Sequence, residues 1–451
     1  MINWRSNYAF TLHREDNSRW SEAKLILGSF LIILLVGTLF LVQPSSHKGE
    51  VTVINALFTA TSAISVTGLG VVDTGTAFTL QGQIILLILM EIGGLGQMTM
   101  TLLLIAMFSK RVGLRQQVLA KEALGQEGSV NIVQLVKRIV LFALIAQLIG
   151  TAIMAIRWVP DMGWGHGLYV SFFHAVSAFN NAGFSLFANN LIDYRDDPII
   201  SLTIPALLIL GGIGFTVIVD LARNHRWRKL KLHSKLMLLM TPALLLLGTL
   251  MFWLLEHNNP ATFGNAGPGG QLLAAFFQSA TARTAGFNTV DIGQMVPASL
   301  LFMMMLMFIG AGATSTGGGI KVTTFAVVLL ATRAFLTKRP HVTAFGRTLS
   351  PQIVTRSLAI IIVSTMVLML AMFLLMLTES QSFDKIMFET ISAFATVGLS
   401  TGITASLSEP GKLILVLVMI CGRLGPLTLA IMLARPVETR IRYPEESVYT
   451  G

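Results

Sequence analysis

The stretch SAFATVGLS, residues 392–400, occurs three more times in the chain in variant form. The other copies are SAISVTGLG at 62–70, SAFNNAGFS at 177–185 and ATARTAGFN at 280–288. Each copy follows or overlaps an amphipathic stretch of roughly 13 residues, which is too short to cross a bilayer and is typical of a re-entrant helix. The copies share one glycine, found at Gly68, Gly183, Gly286 and Gly398.

The composition is that of a membrane protein. Of 451 residues, 53% are hydrophobic and only 12% are charged, whereas about 25% are charged in a typical soluble domain. The net charge of +10 lies in short runs between long apolar segments, which favours the positive-inside rule over nucleic-acid binding. The sequence contains no phosphate-binding loop, dinucleotide fingerprint or catalytic triad pattern, so an enzyme is not predicted.

Eight segments reach or approach the roughly 20 residues that cross about 30 Å of hydrocarbon. They are 24–42, 82–108, 135–157, 199–222, 236–255, 299–334, 354–377 and 412–433. These eight segments form four successive pairs, and one glycine-ended segment lies between the two members of each pair. The sequence therefore predicts an all-α polytopic membrane protein, in which four repeats of transmembrane helix, re-entrant pore loop and transmembrane helix surround a central pore. The motifs GGLGQ, 93–97, and GGIGF, 211–215, are expected inside transmembrane helices, where small residues allow close packing.

The repeats divide the chain into six parts. They are a cytosolic N-terminal segment 1–23, pore repeats at 24–110, 111–223, 224–335 and 336–434, and a cytosolic tail 435–451. Basic residues cluster between repeats, which places those loops and both termini in the cytosol. The opposite loops carry the acidic residues Asp73, Asp161, Asp193, Asp196, Asp197 and Asp291.

Four glycine-ended bends suggest a site made of peptide carbonyl groups. Backbone polar groups cannot face lipid unpaired, so such bends must be buried in protein or line a watery cavity. If the four bends meet at one axis, their carbonyl oxygens can replace the water shell of a monovalent cation. Glycine suits the bend because it adopts backbone angles that are costly for other residues. For one such glycine, close packing is the simpler explanation, but four in register favour the filter.

With these features, the chain resembles the membrane subunit of a Ktr-type potassium uptake system, in the superfamily that also holds the Trk and plant HKT transporters. The resemblance also rests on a broken third inner helix and the tail RIRYPEESVYTG, 440–451, and it covers essentially the whole chain. It implies K⁺ as the substrate, Na⁺ as an activator, no cofactor in this chain, and the plasma membrane of a bacterium as the location. It also implies a filter lined by Val66, Thr67, Gly68, Asn181, Ala182, Gly183, Thr284, Ala285, Gly286, Thr396, Val397 and Gly398.

Within that family, a serine in place of the first filter glycine accompanies sodium permeation. Glycine at all four positions therefore favours potassium. Asn181 and Arg283 depart from the TVG pattern of potassium channels, so selectivity is expected to be looser than in a tetrameric channel.

The same resemblance implies two kinds of partner besides the lipid bilayer. The family pairs a homodimer of this subunit with an octameric cytosolic ring of RCK-type subunits that bind ATP or ADP. The basic inner loops offer a docking surface for such a ring, and residues 436–451 are implied at the dimer interface.

A second informative stretch is GAGATSTGGGIKVTTF, 310–325, which interrupts an apolar region too long for one helix. Two interpretations are open, a packing kink and a movable intramembrane loop that obstructs the pore. The resemblance to this family implies the second interpretation, in which the loop is a gate. The implied gate consists of Gly310, Ala311, Gly312, Ala313, Thr314, Ser315, Thr316, Gly317, Gly318 and Gly319, with Lys321 and Arg423.

Several polar side chains within apolar segments have more than one interpretation. Arg423 either clamps helices together or, as the family suggests, forms an electrostatic barrier that hydrogen-bonds to the 310–319 loop. Lys321 either positions that loop or snorkels to the interface. Glu91, Arg283 and Glu389 either brace the pore helices or contact ions. His174 is expected to be a packing residue rather than a metal ligand.

Two other functions compete with a channel-like uptake protein. A sodium/potassium symporter with alternating access predicts broken helices in inverted halves, and the parallel fourfold pattern disfavours it. A membrane enzyme or scaffold is disfavoured because no catalytic constellation is present.

Overall fold

The computed structural model describes residues 16–96 and 132–425, and this part of the chain is predominantly α-helical, in agreement with the predicted fold class. The helices are α1 Asp16–Val42, α2 Val53–Ile64, α3 Thr74–Ala77, α4 Leu80–Gly94, α5 Ile132–Met162, α6 Trp164–Phe179, α7 Pro198–Gly212, α8 Phe215–Arg223, α9 Leu232–Glu256, α10 Pro268–Thr281, α11 Pro297–Phe308, α12 Val322–Leu336, α13 Pro351–Thr378, α14 Phe383–Ala395 and α15 Glu409–Leu424. Strands β1 Thr343–Ala344 and β2 Arg347–Thr348 pair antiparallel between α12 and α13.

The long outer helices have the length and surface of membrane spans. Within the described residues, the segments Val136–Met162, Leu232–Glu256 and Pro351–Thr378 are long and apolar enough to cross a bilayer. Side chains on α13 remain exposed to the outside of the bundle, with 66% of Met366 and 60% of Phe373 accessible. A continuous apolar exterior of this kind is stable only against lipid.

Local sequence explains where several helices begin. The Thr52 side chain accepts a hydrogen bond from Asn55 N before the first pore helix, and Ser408 does the same for Gly411 N before α15. These caps satisfy backbone donors that have no partner inside the helix.

Acidic residues of the outer loops also serve as caps and ion-pair partners. Asp197 accepts from the N–H groups of Ile199 and Ile200 at the start of α7, and it also pairs with Arg157 of α5 at 2.6 Å. Asp196 pairs with Arg195 at 2.9 Å, and this guanidinium lowers the pKa of the Asp196 carboxyl below its usual value. Much of the predicted outer negative charge is therefore used to hold loops in place.

Among the described residues, four hydrophobic clusters form the interior, and each contains residues of at least two repeats. The cluster around α1, α2 and α4 includes Phe173 and Phe184 of the second repeat. The cluster centred on the second repeat includes residues of the third repeat. The cluster centred on the third repeat includes residues of the fourth. The cluster around α13 and α15 includes Phe58, Leu69 and Val71 of the first repeat. The packing therefore closes into a ring.

The inner helices are interrupted more often than the sequence predicts. The 299–334 region is divided into α11 and α12, as expected, but the predicted span 199–222 is also broken, with an 87° bend between α7 and α8. The expectation that GGLGQ and GGIGF lie inside helices is wrong, because α4 ends at Gly94 and α7 at Gly212.

Positive backbone angles explain these breaks. Gly96, Gly214 and Gly425, which follow α4, α7 and α15, have φ of 83°, 98° and 87°. Residues with such angles cannot continue a right-handed helix, and glycine adopts them at little cost. The inner helices of the first, second and fourth repeats therefore stop at equivalent glycines.

Close packing accounts for the glycines just before the breaks. A side-chain carbon on Gly93, Gly211 or Gly422 would overlap the carbonyl oxygen of Ile64, Phe179 or Phe394, respectively. Each of these oxygens belongs to the last turn of the pore helix in the same repeat. Glycine therefore lets the inner helix contact the end of the pore helix directly.

Several predictions fall on residues that the structure does not describe. They concern residues 1–15, the boundary between the first two repeats at 110, the later parts of the predicted spans 82–108 and 412–433, and the tail 435–451.

The break at Gly214 provides a test of this packing. Alanine at residue 214 should lower the melting temperature, because φ of 98° is strained for any residue with a Cβ and that Cβ would meet the Ala313 carbonyl; such strain costs about 1–3 kcal/mol. Thermal unfolding of the purified protein in detergent measures it. Gly28→Ala is the control, because no atom lies within 4 Å of a Cβ there and alanine favours the helix. Equal melting of the two variants would contradict the strain at Gly214.

Candidate ion pathway

Each of the four pore helices, α2, α6, α10 and α14, ends within one of the repeated segments, three to five residues before its glycine. The residue two positions before each glycine is left-handed, with φ of 58° at Val66, 60° at Asn181, 69° at Thr284 and 50° at Thr396. The four glycines also have positive φ, between 69° and 92°, whereas the residue between them does not. This alternation turns successive N–H groups to one side of the chain and successive carbonyl groups to the other.

The four glycine segments contact one another in cyclic order. A Cβ on Gly68 would lie 2.5 Å from the Ala182 oxygen, and one on Gly183 would lie 2.7 Å from the Ala285 oxygen. In the same way, a Cβ on Gly286 would contact the Val397 oxygen, and one on Gly398 would contact the Thr67 oxygen, which closes the cycle. The predicted filter residues are therefore brought together in a closed ring, and no side chain fits at its four glycines.

Backbone donors of the ring bond to the pore helices behind it. Thr67 N donates to Ser62 O at 2.8 Å, Ala182 N to Ser177 O at 2.7 Å and Val397 N to Ser392 O at 2.9 Å. The N–H groups of Gly68 and Gly398 donate to the hydroxyls of Ser62 and Ser392, at 3.0 and 3.1 Å. Serine at the start of the SAF and SAI phrases thus holds the backbone of the ring.

The carbonyl oxygens of the ring have no such partners. Within residues 16–96 and 132–425, no N–H or O–H group donates to any carbonyl of the twelve predicted filter residues. Eleven of the twelve residues are buried, and Gly68 is partly buried. Buried carbonyls are nearly always hydrogen-bonded, so this set is suited to a cation.

The third segment differs from the others because it has one more residue between its serine, Ser279, and its glycine. The Ala285 N–H donates to Thr281 O at 3.0 Å, four residues back instead of five. The buried Arg283 side chain points away from the ring, and its guanidinium donates to Thr241 O of α9 at 3.4 Å. Asn181, the other departure from the TVG pattern, places its side-chain amide 3.3 Å from Thr284 Oγ1.

Polar side chains of three pore helices brace the chain just beyond each glycine. His174 Nε2 lies 3.0 Å from Ser185 Oγ, and Gln278 Nε2 donates to Thr289 Oγ1 at 3.3 Å. The Glu389 carboxylate accepts from Ser400 Oγ, from Thr401 N at 3.2 Å and from Thr404 Oγ1 at 3.0 Å. Bracing was one of the two interpretations given for Glu389, but His174 and Gln278 were not predicted to hold this part of the chain. A Ser or Thr two or three residues after each of these glycines was the available signal.

His174 and Glu91 also bond to the protein. The His174 ring is fully buried, with Nδ1 2.8 Å from Val170 O, and it packs against Trp158 and Phe187. No metal-binding group of three His, Cys, Asp or Glu occurs among the described residues. Glu91 Oε2 accepts from Asn180 at 2.6 Å and from Gln147 at 2.9 Å. These contacts join the first inner helix to the second pore helix.

The loop 310–319 lies directly beneath the ring. Gly318 N donates to Thr396 Oγ1 at 3.0 Å, and a side-chain carbon on Gly317 would overlap Thr284 Oγ1. The first half of the loop bonds to the break of the second repeat, where Gly312 N donates to Gly212 O at 2.9 Å.

Two cations hold the lower side of this loop. Lys321 Nζ donates to the carbonyls of Gly317 and Gly318, at 2.6 and 3.2 Å. The Arg423 guanidinium donates to Thr316 O of the loop and to Gly93 O of the first repeat. Both cations are thus bound to backbone carbonyls, and the hydrogen bond expected between Arg423 and the loop is present.

Comparison with known proteins supports the architecture. The model of the TrkH family, described as cation transport protein, matches residues 7–441. A solved structure, the potassium transporter TrkH from Vibrio parahaemolyticus, superposes with a TM-score of 0.75 over 94% of this chain and 86% of that chain. At 20% sequence identity, this likeness establishes the fold.

Curated relatives are similar over nearly their full length. The Ktr system potassium uptake protein B of Vibrio alginolyticus is 58% identical, with 97% of each chain covered. Its namesake in Bacillus subtilis is 43% identical over 98% of this chain and 100% of the relative. The potassium/sodium uptake protein NtpJ of Enterococcus hirae is 38% identical over 98% of this chain and 99% of the relative. The resemblance to Ktr-type subunits is thereby confirmed, and the chain belongs to the TrkH family of cation transport proteins.

Proposed function

We propose that the chain takes up potassium ions across the plasma membrane through the ring of four glycine segments. The observation that carries this proposal is the closed ring of buried carbonyl oxygens that receive no donor from the described chain. A dehydrated K⁺ supplies the missing positive partner, and the oxygens replace its hydration shell. The names of the two Ktr relatives, both potassium uptake proteins, support the choice of ion.

The pore helices add to the attraction for a cation. Their C-terminal ends meet at the ring, and the C-terminus of a helix carries partial negative charge. Because the ring is made of neutral peptide groups, it stabilises an ion without binding it as tightly as carboxylates would. This balance is what conduction through a filter requires.

The 310–319 loop is the proposed gate. It lies across the underside of the ring, and the Lys321 and Arg423 charges stand where a cation leaving the filter would pass. Opening requires the loop to give up its bonds to Thr396, to the Gly212 break and to the two cations. Since each end of the loop bonds to a different repeat, movement between repeats is coupled to the gate.

Regulation is proposed to come from a cytosolic ring of RCK-type nucleotide-binding subunits, acting on a homodimer and stimulated by Na⁺. The names of the Ktr relatives, which describe parts of a system, support a separate regulatory component. Exposed basic residues between α8 and α9, such as Arg226, Arg228 and Lys229, offer a docking surface on the predicted cytosolic side.

One observation favours a second candidate function, the transport of sodium together with potassium. The Enterococcus hirae relative carries both ions in its name. A coupled sodium/potassium symporter would also conduct through this ring, but it would need sodium for each potassium that enters.

Uptake of radioactive rubidium by cells that lack their own potassium uptake tests the proposal. The wild-type chain should restore uptake, and Gly68→Ser should reduce discrimination of K⁺ over Na⁺ by about tenfold, which corresponds to about 1.4 kcal/mol. The physical reason is that a side chain at Gly68 overlaps the Ala182 carbonyl of the ring. Gly49→Ser is the matched control, because Gly49 has no atom within 4 Å of a Cβ.

Unchanged selectivity in Gly68→Ser would remove the filter assignment. Absence of rubidium uptake by the well-expressed wild-type chain, tested together with its regulatory subunit, would contradict potassium uptake itself. Rubidium uptake that occurs only with sodium would favour the symporter.

Removal of the gate should increase flux. Deleting residues 313–317 and, separately, replacing Arg423 by Gln should each raise rubidium flux roughly tenfold, as expected if the barrier falls by about 1.4 kcal/mol. Flux into proteoliposomes measures this directly. Arg423→Lys is the control, because it keeps the charge, and it should remain closer to wild type. If flux and its regulation stay the same in both the deletion and Arg423→Gln, the loop is a packing element and not a gate.

A further inference from the structure

A groove runs along the outer surface of the second repeat, between α5 and the bent pair formed by α7 and α8. It consists of two adjoining cavities of about 160 and 420 Å³, and both are lined by Phe142. The lining of this groove contains no residue of the ring or of the 310–319 loop.

The larger part of the groove is apolar and open to the membrane. On one side lie Ile145 and Ile149 of α5, which expose 48% and 56% of their surface. On the other side lie Leu202 and Leu210 of α7, with Ala206 between them. Small residues at the bottom, including Gly150, make this a trough and not a flat face. Its chemistry suits a hydrocarbon chain.

The smaller part of the groove carries two positive charges. Arg138 near the start of α5 and Arg223 at the end of α8 both line it, and both are exposed. Neither forms an ion pair with any residue that the structure describes. Asp220, the acidic residue of α8, is already occupied by Ser234 Oγ at 2.5 Å and by Lys231 N and Asn224 Nδ2, each at 2.9 Å.

The dimensions of the groove match one membrane leaflet. From Arg138 to Ile153 the α5 wall covers sixteen residues, and the fifteen steps between them correspond to roughly 22 Å at about 1.5 Å per residue. One leaflet with its headgroup region is about 20–22 Å thick, half of a 40–45 Å bilayer. The two arginines lie at the end of the bundle that carries the other basic residues of this loop, the predicted cytosolic side.

We propose that this groove binds an anionic phospholipid of the inner leaflet. The phosphate lies between Arg138 and Arg223, and one acyl chain runs along α5 towards Ile153. Guanidinium groups pair with phosphate in a fork geometry that is stronger than a single charge contact, and the exposed leucine and isoleucine side chains cover the chain. Neutral lipids offer the same hydrocarbon but no net charge for the two arginines.

Charge argues against the adjoining segment 97–131 as the occupant. The segment 97–131, which lies outside the described residues, contains four basic residues, Lys110, Arg111, Arg115 and Lys121, and only two acidic ones, Glu122 and Glu127. A basic segment does not neutralise two arginines, whereas a lipid phosphate does.

The groove is also connected to the gate. The Phe215 side chain lines the groove, and its N–H donates to Thr314 O of the 310–319 loop at 3.1 Å. Phe215 directly follows the break at Gly214, so a lipid that holds α8 against α5 also holds this end of the loop. This coupling, unlike the binding itself, rests on the proposed function.

The binding is tested by native mass spectrometry of the full-length chain, delipidated in detergent and titrated with dioleoyl-phosphatidylglycerol or dioleoyl-phosphatidylcholine. Wild type should bind phosphatidylglycerol in preference, and inorganic phosphate should not compete at equal concentration. The double variant Arg138→Gln/Arg223→Gln should bind it roughly 25-fold more weakly, because each basic residue near an anionic lipid contributes about fivefold in affinity. Arg347→Gln/Arg356→Gln removes two exposed charges from the fourth repeat and should leave binding unchanged.

A second variant tests the hydrocarbon part without changing charge. Ala206 is exposed and lines the trough, so Ala206→Phe places an aromatic side chain there. This variant should weaken phosphatidylglycerol binding although both arginines remain. Equal binding of the two lipids, or wild-type affinity in Arg138→Gln/Arg223→Gln, would overturn the proposal. So would an equal loss in the Arg347→Gln/Arg356→Gln control, which would show diffuse surface attraction. Since the readout is lipid bound to purified protein, a failure here is distinct from a failure of potassium uptake.

Discussion

Peptide carbonyl oxygens that are buried without a donor are the constraint on which the rest of this structure depends. In a water-free interior such groups are costly, so the surrounding protein must hold them in place although it gives them no donor. The Ser62 and Ser392 hydroxyls take up the N–H groups on the back of the ring. His174, Gln278 and Glu389 tie down the chain beyond it. Polar residues of the pore helices thus hold the backbone of the ring and do not line it.

Glycine has two different uses in this fold, and both follow from contact between backbones. In the ring it lets neighbouring segments approach until one Cα lies against the next carbonyl. At the breaks, Gly93, Gly211 and Gly422 bring the inner helices against the ends of the pore helices, and a glycine with positive φ then ends each helix. Because the inner helices stop beneath the ring, the 310–319 loop and Arg423 have access to its lower side.

The main features of the architecture could be predicted from sequence because they repeat. Four similar glycine phrases, each between apolar segments, predicted the short pore helices and the segments that follow them, and a glycine-rich run predicted the break at 310–319. The break at Gly212–Gly214 was missed, since two glycines within an apolar run are equally compatible with close packing of a continuous helix. The cyclic order of the segments, and the bonds from Arg423 to Thr316 and Gly93, depend on contacts between distant repeats that no local pattern encodes.

The cyclic arrangement of the hydrophobic clusters has a consequence for how the molecule is assembled. As the chain is synthesised, the first three clusters each become complete when the next repeat arrives. The last one joins α13 and α15 to Phe58 and Leu69 of the first repeat, so it forms only when the two ends of the bundle meet. Until then the first repeat has an unfinished apolar side. The contact between the fourth and first repeats therefore forms last during biogenesis. A chain released before its fourth repeat is made would leave the apolar side of the first repeat exposed to lipid.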